Sequence, residues 1–229
     1  MFRRGVALWP LPLAIALTLT VAAHLALVIS VQAGHVPACV PYIEGCTSIS
    51  RAARHGLGNH LFRLLVLPCA LLVGLHWWLS ARWARTLGQG ARMLLVLGVL
   101  AAIALAVYAT FLGTEGAAYR FLRRYGVNVF FGSSYVAQLV FLRMAIRSGT
   151  LPRALRMGMQ AVCVAMLSLG LLHVAALAAI GGSDVQDRLE NALEWQLGVL
   201  LVAWYGLQAL HWRRDGYRIE TTRQAALIP

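Results

Sequence analysis

The residues able to do chemistry crowd into one stretch, Cys39-Val-Pro-Tyr-Ile-Glu-Gly-Cys46-Thr-Ser-Ile-Ser50-Arg51-Ala-Ala-Arg54-His55, which runs on to Asn59-His60. Two cysteines, a carboxylate, two arginines, two histidines and several hydroxyls lie there between two apolar runs. Guanidinium groups bind phosphate through paired hydrogen bonds, while carboxylates and amides hold hydroxyls or amines. More polar groups recur along the chain at Glu115, Asn128, His173 and Glu194, with His24 inside the first apolar run. A histidine beside a carboxylate would serve as general base for acyl transfer, and two histidines with a glutamate would bind zinc. No HExxH, no GxSxG and no close histidine pair within a helix is present, so neither zinc nor Ser48 or Ser50 as nucleophile has a sequence signature. No metal and no cofactor is expected.

What must position these groups is a membrane scaffold. Hydrophobic residues make up 60% of the chain, mean hydropathy is +0.70 and only 12% of residues are charged, against about a quarter in soluble domains. Six apolar runs are read at approximately 6–31, 64–79, 93–112, 127–142, 157–180 and 192–210. Val31-Gln32-Ala33 resembles a signal-peptide cleavage site, but the run before it exceeds the roughly 7 to 15 residues of a signal core. At about 1.5 Å per residue it is long enough for a bilayer core of roughly 30 Å. The expected fold is all-α, a polytopic six-helix transmembrane bundle forming a single integral membrane domain over 1–229.

The net charge of +12 is spread over short loops and forms no aromatic-studded basic face, which points to membrane topology and away from nucleic acid. Arg3, Arg4, Arg82, Arg85, Arg92, Arg143, Arg147, Arg153, Arg156, Arg213, Arg214, Arg218 and Arg223 fall on one side of the six runs and are the majority of the 20 basic residues. By the positive-inside rule both termini are cytoplasmic. Glu44, Glu115, Asp184, Asp187, Glu190 and Glu194 then face outward. Cys39 and Cys46 lie in the same oxidising compartment, with Pro41 and Gly45 to turn the chain between them, and a disulfide is expected. Cys69 and Cys163 read as small buried residues of the spans.

His24 and His173 lie at matching depth, roughly 10 Å below the outer ends of their helices. Glu115, Asn128, Glu194 and His60 sit near the outer ends of four others, so the six helices together offer one outward-facing polar layer. Ionisable groups in a span mark function by default, because an unpaired charge there costs at least about 2.5 kcal/mol. The candidate catalytic residues are Glu115, Glu194, His24, His60 and His173. Arg51, Arg54, Arg120 and Arg124 are the candidates for lipid phosphate, and Ser48, Ser50 and Asn128 for the rest of the substrate.

Cys39-Val-Pro-Tyr-Ile followed by Thr47-Ser-Ile-Ser50 resembles the luminal P-S-I-S segment of the six-span family that includes the damage-regulated autophagy modulators (DRAM), the Sfk proteins and the post-GPI-attachment lipid-remodelling factor. Glu115 followed by Phe130-Phe131 is similar to that family's polar stretch between helices three and four. Glu194-Trp195 matches its usual opening of the last helix. Thr47 stands where the family has proline, and Tyr119 or a neighbour where many members have histidine. The resemblance implies a lipid-linked role, and the lysine-free, compact chain suggests a bacterial member in the inner membrane. The expected function is recognition, and remodelling, of a lipid or lipid-linked glycan from an outward-facing cavity; as an enzyme it would be a lipid acyl hydrolase or acyltransferase. Its partners would be membrane lipids and, in the alternative reading, a protein docked by a non-enzymatic regulator through the 33–60 outer loop.

Overall fold

A computed structural model describes residues 5–180 and 184–220. Six long helices carry the architecture: α1 (Pro10–Gln32), α4 (Gly56–Thr86), α5 (Arg92–Phe111), α6 (Ala117–Arg147), α7 (Arg153–Ile180) and α8 (Asp184–Asp215). Two single-turn helices, α2 (Pro41–Glu44) and α3 (Ile49–Ala52), lie in the segment between α1 and α4. Each long helix packs on the next in the chain, and α8 returns to α1, so the six close a ring. α7 rests mainly on α8 and only sparsely on α6.

Among the described residues, five helices are long and apolar enough to cross a membrane: α1, α4, α5, α6 and α7 as far as Ala176. The chain is thus a multi-pass integral membrane protein. α8 is equally long, at 32 residues, but Glu194, Gln196 and Gln208 make it more polar. Outward-facing Leu71, Ile103, Val164 and Leu171 are exposed, as surfaces in contact with lipid tails require. Small residues let the helices approach closely; a β-carbon on Gly126 of α6 would lie 3.1 Å from the backbone nitrogen of Tyr108 on α5.

The long helices extend well past the apolar runs. α4 begins at Gly56, eight residues before the run at 64, α6 at Ala117 and α8 at Asp184, because charged residues at a helix end leave the membrane core without leaving the helix. One element has no counterpart in the expected all-α fold. β1 (Gly5–Ala7) pairs antiparallel with β2 (Arg218–Glu220), Val6 opposite Ile219. The ribbon ties both described ends of the chain to one side of the bundle, and the Cys39–Cys46 segment lies at the other.

Candidate functional site

Cys39 and Cys46 form a disulfide with Cα atoms 6.5 Å apart. The closed loop is pinned to the first turns of α8 by three side-chain donors. Asn191 Nδ2 donates to the Gly45 carbonyl (2.9 Å), Trp195 Nε1 to the Thr47 carbonyl (2.9 Å) and Gln196 Nε2 to the Tyr42 carbonyl (3.0 Å). Gly45 adopts φ 60°, in the left-handed region that favours glycine. A β-carbon there would overlap the Arg188 carbonyl of α8. From the other side, His24 on α1 fixes the loop through Tyr42. Its Nδ1 lies 2.7 Å from the Thr20 carbonyl, which can only accept, so Nδ1 carries the proton and Nε2 accepts from the Tyr42 hydroxyl at 2.7 Å. Both ring nitrogens are thereby engaged.

This anchoring brings Ser50 of α3 to Glu194 of α8. Ser50 donates its backbone N–H (3.1 Å) and its hydroxyl (3.2 Å) to Glu194 Oε1. The Tyr108 hydroxyl of α5 lies 3.2 Å from Ser50 Oγ. The hydroxyl of Ser50 has a single proton and gives it to the carboxylate, so Tyr108 is the donor in that pair. Ser48 caps α3 by accepting from the Arg51 N–H at 3.1 Å, which sets the turn that aims Ser50.

Two cavities meet at this point. The first, of about 270 Å³, is an apolar chamber lined by Leu19, Ala23, Phe62, Val66, Leu105, Phe130 and Val202 among others, with His24, Tyr42, Tyr108 and Trp195 on its wall. The second, of about 930 Å³, is a vestibule lined by Ser48, Ser50, Arg51, Arg54, Arg120, Arg123, Arg124, Asn128, His173, Glu190 and Asn191. Glu194, Val127 and Phe131 line both.

The vestibule is strongly cationic. Arg51 lies 3.7 Å from Asp187 across an exposed surface. Among the described residues, Arg54, Arg120, Arg123 and Arg124 form no salt bridge, and the buried Nε of Arg54 has no hydrogen-bond partner. Burial first, and then the like charges of Arg123 and Arg51, pull the Arg54 guanidinium below its ordinary range. A bound anion would offset both effects, since an opposite charge favours the charged guanidinium.

Of the residues expected at a site, His24, Ser48, Ser50, Arg51, Arg54, Arg120, Arg124, Asn128, His173 and Glu194 line one cavity or the other. Glu115 and His60 are exposed and line neither. Glu115 lies in the link between α5 and α6, and His60 occupies an exposed position near the start of α4. His24 is a hydrogen-bonded strut between α1 and α2, with no nitrogen left free. Among the described residues no group of three His, Cys, Asp or Glu side chains could hold a metal ion.

Tyr108, Tyr42, Trp195 and Phe131 belong to the site without having been marked as candidates, as does Arg123. Arg120, Arg124, Val127 and Phe131 follow helical spacing, a signal hidden when residues up to 126 are taken as a link between spans. The Thr47–Ser50 and Glu194-Trp195 segments, far apart in the chain, bond directly to each other. Comparison with known proteins found no matching family model, no matching curated protein and no matching solved structure.

Proposed function

We propose that this protein is a six-span protein of a bacterial inner membrane, with both termini cytoplasmic, that binds and remodels a phosphate-bearing lipid or lipid-linked glycan of the outer leaflet. α8 is the sixth span, its polar residues turned to the bundle interior. The ribbon between the chain ends is in keeping with an even number of crossings. Membership of the six-span family named above is part of the proposal and rests on the order of its motifs.

What carries this reading is the junction of an apolar chamber with a vestibule whose Arg54, Arg120, Arg123 and Arg124 form no salt bridge among the described residues. A ligand that fills both has a hydrocarbon part and an anionic part, as a phospholipid does. The phosphate sits among Arg54, Arg120, Arg123 and Arg124, and an acyl chain enters the chamber past Phe131. α7 contacts α6 only sparsely, and a ligand arriving from the bilayer would enter between these two helices.

The test is the lipid that stays with the protein through purification in a mild detergent, quantified by mass spectrometry. The native chain should retain an anionic phospholipid. Arg54→Ala combined with Arg123→Ala should retain it at least about 10-fold less, since a hydrogen bond to a charged group contributes roughly 1.5–3 kcal/mol. Equal lipid in both would count against the site. Val40 and Ile43 on the outer loop, apolar and exposed at 51% and 83%, favour the second reading, a docking surface for a partner protein. A stoichiometric second protein in the same preparation, lost in Ile43→Asp, would support it.

A further inference from the structure

If headgroup and acyl chain occupy vestibule and chamber, the bond that joins them, a carboxylic ester, crosses the wall the two cavities share. The side chains at that crossing are Ser50, Glu194 and Tyr108. Ser50 lines the vestibule, Tyr108 the chamber and Glu194 both. Resting on the lipid-binding reading above, we propose that Ser50 is the nucleophile of an acyl transfer, with Glu194 as its general base and Tyr108 as the donor that meets the oxyanion.

The hydrogen bonds have the polarity this chemistry needs. Ser50 Oγ already points its proton at Glu194 Oε1, 3.2 Å away, so the carboxylate is in place to take it as the oxygen attacks. Glu194 forms no salt bridge among the described residues, so its carboxylate is not tied directly to a guanidinium, although the charges of Arg51 and Arg54 reach it. The Tyr108 hydroxyl donates to the attacking oxygen from 3.2 Å and can shift its bond to the neighbouring ester oxygen as charge develops there. The guanidinium of Arg54, with a free Nε, adds positive charge on the vestibule side. His24 is not an alternative base, because both its nitrogens are already bonded.

The step balances without a cofactor. Ser50 Oγ adds to the ester carbonyl while its proton passes to Glu194, and the tetrahedral adduct collapses. The lipid alkoxide leaves with the proton returned by Glu194, and the acyl group remains on Ser50. An acceptor hydroxyl, from water or a lysolipid, then attacks the acyl-serine, with Glu194 again taking and returning the proton. Water yields a free fatty acid; a lysolipid yields an acyl-exchanged lipid.

The chain would be reconstituted into vesicles of phosphatidylglycerol and phosphatidylethanolamine carrying one isotope-labelled acyl chain. Labelled acid, lysolipid and exchanged lipid are measured by mass spectrometry, and the peptide containing Ser50 is searched for a hydroxylamine-labile acyl group. The native chain should release or exchange label and show the adduct. Ser50→Ala keeps the backbone N–H bond to Glu194 and should retain bound lipid while turnover falls at least about 100-fold. Glu194→Gln should also lower turnover by about that factor. Turnover retained in Ser50→Ala overturns the proposal, and so does a native chain that holds lipid without turning it over, which would leave the binding reading standing. A native chain that holds no lipid overturns both.

Discussion

The two ends of the bundle use aromatic residues in different ways. At the ribbon end, Trp77, Trp204, Tyr205 and Trp212 are completely buried, and the His76 ring lies 5.0 to 5.2 Å from Trp77, Tyr205 and Trp212. Gln208 accepts from Trp204 Nε1 and donates to Ser80, each within 3.0 Å, and Trp83 donates to Asp215 at 2.9 Å. At the disulfide end, Phe130, Tyr108 and Trp195 are buried as well, but with Phe131 they line the wall of the chamber, and the charges of Arg123 and Arg51 act on Arg54. Void and unpaired charge both cost stability, and folds carry such costs where function requires them. The ribbon end also buries polar atoms of His76, Trp77, Tyr205, His211 and Trp212 that have no hydrogen-bond partner among the described residues, so what separates the ends is a close-packed aromatic cluster at one and a chamber joined to a cationic vestibule at the other.

The largest expected effect lies at the ribbon end. Trp204→Ala removes a fully buried ring that also anchors Gln208, and aromatic-to-alanine changes in cores cost about 3–5 kcal/mol. Its thermal unfolding midpoint in detergent should fall more than that of any variant at the cavities. A midpoint that did not move would erase the contrast between the ends. An intermediate effect is expected for Gly45→Ala. The left-handed backbone alone costs a β-carbon-bearing residue about 1–2 kcal/mol, and the overlap with the Arg188 carbonyl adds to it. The loop should lift from α8, the disulfide should become more accessible to reductant, and bound lipid should fall while the helical bundle stays folded. Disulfide reduction rates and lipid content, measured on the same sample, check this.

Much of this division is legible in the sequence, though unevenly. The apolar runs give the helices, because twenty or so residues without charge have few other structures open to them. The spacing of Cys39 and Cys46 about Pro41 and Gly45 gives the disulfide. The Ser50–Glu194 pair is another matter: it spans 144 positions, and no periodicity connects the two residues. Only the order of the Thr47–Ser50 and Glu194-Trp195 motifs hinted that they belong together. Tyr108 was hidden because it sits in the most apolar run, where a single phenol reads as packing. Phe131 was obscured for a geometric reason. Hydropathy marks where a span leaves the hydrocarbon, whereas α6 starts at Ala117, ten residues before the run at 127, so one continuous helical face was divided between a loop and a span. The β1–β2 ribbon had no cue at all, being three residues long on each strand and built from the two ends of the chain.

The smallest effect sharpens the boundary of the site. Glu115 and His60 are polar, sit at the disulfide end and fit the same outward layer by depth, yet both are exposed and outside the cavities. Depth along the bundle normal is therefore insufficient, since a residue must also face the axis. Surface substitutions away from caps and networks usually change stability by no more than about 0.5 kcal/mol. Glu115→Ala and His60→Ala should accordingly leave both the unfolding midpoint and the retained lipid unchanged, beside the roughly 10-fold loss expected when Arg54 and Arg123 are replaced together. If Glu115→Ala shed lipid as the double arginine variant does, the binding surface would extend over the α5–α6 link. The headgroup would then lie outside the vestibule, and the ester could no longer cross at Ser50.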